Sequence, residues 1–152
     1  YLNFPTTRLD VIPFGDIVKS IDNTIKEVKP EVVYLPSIFD SHTDHYVTVK
    51  ATLNCIKWFR NNSIKRVLGY EVLSETNFNY LEGVFKPNVY IDISSFLQKK
   101  INAMKIYKTE LKKHPFPRSP ESIKSLAILR GSESGVKAAE AFHLYIDRSD
   151  KI

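Results

Sequence analysis

The chain has 152 residues, of which 43% are hydrophobic and 26% charged, with a formal net charge of +5; these proportions fit one globular domain with a buried core. No run approaches the roughly 18 apolar residues that a membrane span needs, and the opening YLNFPTTRLD lacks the basic start and apolar centre of a signal peptide, so a cytoplasmic location is expected. The lone cysteine, Cys55, rules out an intrachain disulfide, and lysines spread along every predicted helix, so a nucleic-acid partner is not expected.

In chain order, Ile17, Ile21, Ile25 and Val28 recur at spacings of three and four, which predicts an amphipathic helix over 16–28, with Pro30 just past its end. EVVYLP (31–36), β-branched and stopped by proline, reads as a buried strand. Helical spacing returns over 45–60 through Val49, Leu53, Ile56 and Phe59, with Cys55 a buried, inert thiol. KRVLGYEV (65–72) and NVYIDI (88–93) are further strands. A long helix is expected over 94–114, opened by a capping box of Ser95 and Gln98 and carrying Leu97, Ile101, Met104, Tyr107 and Leu111 on one face. Another should start at Ser119 as cap and close at Gly131, while AEAFHLYI (139–146) fits either strand or helix. Such alternation predicts a single α/β domain over 1–152, a mainly parallel sheet flanked by helices, with ligands gathered at the carboxyl ends of the strands.

At such an end lies DSHTDH (40–45), two histidines and two aspartates among six residues. Imidazole and carboxylate are the donors zinc and related divalent ions prefer, and an aspartate can fix a histidine's tautomer. Read from the residues alone, two accounts stand level: a metal or catalytic loop in which Asp44 serves His42, or Asp40, Ser41 and Asp44 as helix caps with incidental histidines. A catalytic zinc takes three protein ligands, and this segment does not supply three.

The same six residues, after a strand ending in proline, resemble the second signature of the PIG-L/LmbE-like family of zinc-dependent N-deacetylases, usually His-Pro-Asp-His. FKPNVYIDISSFLQKKINAMKIYKTEL and LAILRGSESGVKAAEAFHLY are similar to two later segments of that family. The resemblance implies a Rossmann-like fold, a zinc ion (another divalent metal would serve) held in part by His45, an oxyanion stabilised by His42, and Asp44 holding His42. It also implies an N-acetylated sugar conjugate of the N-acetylglucosamine type as substrate. Tyr46, Asn77 and Glu140 are further substrate-side candidates, with Asp40 structural beside the site. The family's amino-terminal Pro-His-Pro-Asp-Asp-Glu motif has no counterpart here, and Thr43 stands where the family often has proline. The chain, which starts at Tyr1, is therefore expected to be a fragment that lacks its first strands and, alone, lacks activity and metal; an exposed sheet edge would favour a homo-oligomer. The alternative is a non-catalytic basic α/β module that binds an anionic partner.

Overall fold

The structure, a computed structural model, describes residues 1–80 and 83–148. It is an α/β fold with a four-stranded sheet flanked by helices, in strand order β1-β2-β4-β3. The chain forms two compact units, Tyr1–Phe85 with His143–Ile152, and Lys86–Phe142.

The first unit contains helix α1 (Phe14–Val28), strand β1 (Val32–Pro36), helix α2 (Thr43–Cys55) and strand β2 (Arg66–Tyr70). α1 buries Ile17 and Ile25, as their spacing predicts, and stops at Lys29, whose left-handed backbone returns its N–H to Ile25 O. β1 and β2 run parallel, with Val33 opposite Val67 and Leu35 opposite Gly69. Leu35 and Val67 meet Ile25, Val49, Cys55, Ile56 and Ile64 in one core, and each fully buried large aliphatic contributes about 1.5–3 kcal/mol. The helix expected over 45–60 starts two residues earlier and ends five earlier. Asn61 Nδ2 donates to Cys55 O at 2.8 Å and Arg148 donates to Ile56 O at 3.0 Å, so side chains satisfy the last carbonyls and the helix stops there.

The second unit holds strand β3 (Val89–Asp92), helices α3 (Leu97–Met104) and α4 (Pro120–Ser134), and the amino half of β4 (Ala139–Asp147), whose carboxyl half lies in the first unit. The ambiguous segment 139–146 is thus strand, antiparallel to β3 with Val89 opposite Phe142 and Ile91 opposite Glu140. The expected mainly parallel sheet therefore carries an antiparallel pair. α3 corrects the long helix expected over 94–114: it has eight residues, and its N-cap, Phe96, makes no side-chain capping bond. Instead of a Ser95 capping box, Ser94 binds Asp92 Oδ1 through both its amide and its hydroxyl. Past Met104 the apolar repeat loses its burial at Tyr107, which is exposed together with Ile106, and only Leu111 is partly covered; short helices with little burial are marginal.

α4 begins as expected, Ser119 Oγ accepting from Ser122 N at 3.1 Å, but passes Gly131 and ends at Gly135, which is left-handed. Gly131 is a packing glycine: a Cβ there would lie 2.6 Å from Val136 O. Charge also differs from expectation. Residues 86–142 hold eleven Lys/Arg against five Asp/Glu, whereas the remainder of the chain holds eleven against twelve.

Candidate functional site

β1, expected to be a buried strand, is buried only at its end, with Val32 and Tyr34 exposed as alternate residues of an outer strand of the sheet; Pro36 and Ser37 lead directly into the loop that carries the clustered histidines. Ser37 Oγ accepts from Phe39 N at 3.0 Å, and Asp40 N donates back to Ser37 O, a tight turn that drives the Asp40 side chain inward until none of it is exposed. A buried carboxylate must find donors. Asp40 Oδ2 lies 2.7 Å from His45 Nδ1, and Oδ1 accepts from Thr76 Oγ1, which itself accepts the Val72 amide at 2.7 Å. With a carboxylate facing it, His45 Nδ1 is the donor, so in the neutral tautomer the lone pair lies on Nε2. The side chain is 29% exposed, so it is neither free nor sealed.

His42 is the N-cap of α2. Its Nδ1 accepts from Asp44 N at 3.1 Å, which fixes the opposite tautomer, with Nε2 as donor. The two rings stack, centroids 4.8 Å apart and planes at 20°. One imidazole thus offers a lone pair and its neighbour an N–H. The expected pairing of Asp44 with His42 is not formed through the carboxylate. Asp44 Oδ2 accepts from Thr7 N at 2.6 Å and Oδ1 from Leu9 N at 3.0 Å, tying the amino-terminal segment to the first turn of α2. The aspartate that holds a histidine is Asp40, and the histidine is His45.

A second loop clamps the first. Ser41 N donates to Glu75 O at 3.3 Å and Ser41 Oγ to Glu75 Oε2 at 2.8 Å. Tyr145 OH accepts from Ile38 N at 3.3 Å, its ring covering Gly69, where a Cβ would lie 2.6 Å away. Burial, with the nearby charge of Asp40, raises the phenols of Tyr145 and Tyr70 above their ordinary value. Thr76 and Glu75 reach the site from distant sequence and carry no motif, and Tyr145, although it closes the segment LAILRGSESGVKAAEAFHLY, is not singled out there as a site residue.

Of the remaining candidates, Tyr46 follows His45, half-buried beneath Lys50 Nζ at 4.2 Å from its ring centroid. Asn77 is exposed in the 3-10 turn Thr76–Phe78. Glu140 lies in the second unit, where it binds Lys100 Nζ at 2.7 Å, while Arg130 binds Glu133. His45 backed by Asp40 has the form of one metal-ligating histidine with its supporting carboxylate. Among the described residues no group of three His, Cys, Asp or Glu is placed to hold a metal ion.

No family model matches the chain. Solved structures do. N,N'-diacetylchitobiose deacetylase from Pyrococcus horikoshii aligns over 95% of this chain and 55% of its own, with TM-score 0.69 and 17% identity. The conserved protein TT1542 from Thermus thermophilus aligns over 97% of this chain and 65% of its own, with TM-score 0.73 and 19% identity. The 4-carboxy-2-hydroxymuconate hydratase GalB from Pseudomonas putida KT2440 aligns over 91% and 61%, with TM-score 0.64 and 16% identity. These likenesses establish the fold, and the chain spans between 55% and 65% of the length of these structures.

Proposed function

We propose that the chain provides the His42–His45 loop of a metal-dependent hydrolase that removes acetyl from an N-acetylglucosamine-type glycoconjugate. The observation that carries this reading is the Asp40–His45 pair beside a second, oppositely tautomeric imidazole, in a fold shared with a chitobiose deacetylase. His45 fits one position of a zinc site through Nε2; the other donors would come from outside the described residues. Bound zinc would supply a water of lowered pKa and polarise the acetyl carbonyl. His42 Nε2–H is the donor for the oxygen that gains charge as water adds to the carbonyl, the ring being held by the bond from Asp44 N to its Nδ1. Asp40 holds the His45 ring in orientation and tautomer. Tyr46 and Asn77 are the side chains offered to the sugar.

The test measures zinc content and acetate release from an N-acetylglucosamine conjugate with the enzyme complete. His45→Ala should lose zinc and activity together; unchanged zinc stoichiometry in that variant rejects the ligand assignment, and chelator-insensitive hydrolysis rejects the metal.

A further inference from the structure

The amide of Val72, just past β2, sets the direction of a hydrogen-bond chain that ends at His45. Val72 N donates to Thr76 Oγ1 at 2.7 Å. An amide N–H can only donate, so the hydroxyl oxygen receives it and turns its own hydrogen elsewhere. That hydrogen goes to Asp40 Oδ1, and the other carboxylate oxygen, Oδ2, lies 2.7 Å from His45 Nδ1. Both inner members are sealed from water: Thr76 is 7% exposed and the Asp40 side chain not at all. The turn that presents Thr76 is closed in its own right, because Glu75 N and Thr76 N both donate to Val72 O at 2.9 Å. Thr76 therefore meets Val72 through its amide and its hydroxyl together, and its side chain is fixed before it reaches Asp40.

The last torsion of an aspartate is broad, so a carboxylate held at one oxygen can swing about that contact. A donor on each oxygen fixes its plane. We propose that Thr76 is a positioning residue for His45: by anchoring Oδ1 it holds the plane of the buried Asp40 carboxylate, and through Oδ2 it sets the orientation and tautomer of the imidazole, leaving Nε2 as the nitrogen free for a ligand or substrate. Without the hydroxyl, Oδ1 is a buried acceptor lacking its donor, a state that side chains leave by turning away. The neighbouring Glu75 also grips the loop, through Ser41 N and Ser41 Oγ, but the side-chain bond of that pair is exposed and does not touch the carboxylate. This inference deepens the reading of His45 as the working side chain of the loop and rests on it.

The experiment records long-range proton–nitrogen correlation spectra of the isotope-labelled full chain, at alkaline pH with the imidazoles neutral and with the His45 signals assigned through His45→Gln. The native chain should show His45 protonated at Nδ1 alone, and the Thr76 hydroxyl proton as a resolved, slowly exchanging signal. In Thr76→Val, which keeps the shape of the side chain and removes the hydroxyl, the two His45 nitrogen shifts should converge as the second tautomer appears. Thr76→Ser should restore the native pattern. Ser41→Ala loosens the same two loops at the surface and should lower the urea midpoint without moving the His45 shifts. Unmoved His45 shifts in Thr76→Val, no rescue by serine, or equal convergence in Ser41→Ala would overturn the proposal. So would a native Thr76 hydroxyl proton lost to rapid exchange with water, a result that needs no variant to fold. These spectra are taken without metal, so the zinc assignment of His45 and the role of Thr76 fail separately.

Discussion

Asp40 shows how one side chain joins stability to chemistry. It is buried with two partners on its two oxygens, so its removal strands the Thr76 hydroxyl and loosens His45. Asp40→Ala should cost about 1–3 kcal/mol, the usual penalty for orphaned buried polar groups, read as a lower urea midpoint. Asp40→Asn should keep more of that stability yet lower zinc affinity about 10- to 100-fold, the effect of losing a supporting carboxylate; undiminished affinity would separate the aspartate from the metal. His42→Ala should lower turnover about a hundredfold to a thousandfold if Nε2–H serves the oxyanion, with zinc content intact. The loop's residues were legible as chemistry because four ionisable side chains lie together after a strand. Their pairing was not. Helical spacing suggests that partners sit three or four apart, but the turn through Ser37 and Asp40 brings residues five apart together, and Asp44 is taken by amides 35 and 37 positions away.

Elements followed their local signals wherever burial agreed with them. α1 and β1 fall within two residues of expectation because apolar period, proline and core contact all point the same way. α3 did not, because periodicity with little surface to cover leaves residues 105–113 in turns and irregular chain. The glycines sharpen this contrast between propensity and packing. Gly131→Ala improves intrinsic helix propensity by about 1 kcal/mol, yet the new Cβ meets backbone of the Val136–Ala138 segment at 2.6–2.9 Å, and overpacking of that kind costs about 1–3 kcal/mol. Net destabilisation is expected. Gly15→Ala, near the start of α1 with nothing within 4 Å of its Cβ, should raise stability by up to about 1 kcal/mol. Chemical denaturation of the two variants gives opposite signs if the packing is right. Ser119→Ala should cost about 1 kcal/mol through loss of the cap on α4.

Across the molecule, alkaline pH is where burial of neutral acids becomes visible. Burial pushes the Cys55 thiol from its ordinary 9.0 up to about 11, and burial raises the phenols of Tyr70 and Tyr145 as well. A raised folded-state pKa means the native chain holds its proton longer than the unfolded one. Stability from Cys55 is therefore complete below pH 9 and declines as pH climbs toward about 11. Urea midpoints at pH 8 and pH 10.5 should fall for the native sequence and fall less steeply for Cys55→Ala, whatever that variant's absolute stability.

The same sulfur offers a molecular clock. Cys55 is fully enclosed and points its S–H at Val18 O and Ala51 O, each 3.3 Å away, so an alkylating reagent reaches it only when α1 parts from α2. Because the chain has no second cysteine to react in its place, the rate of thiol capture reports how often that seam opens, with no label introduced and no residue changed.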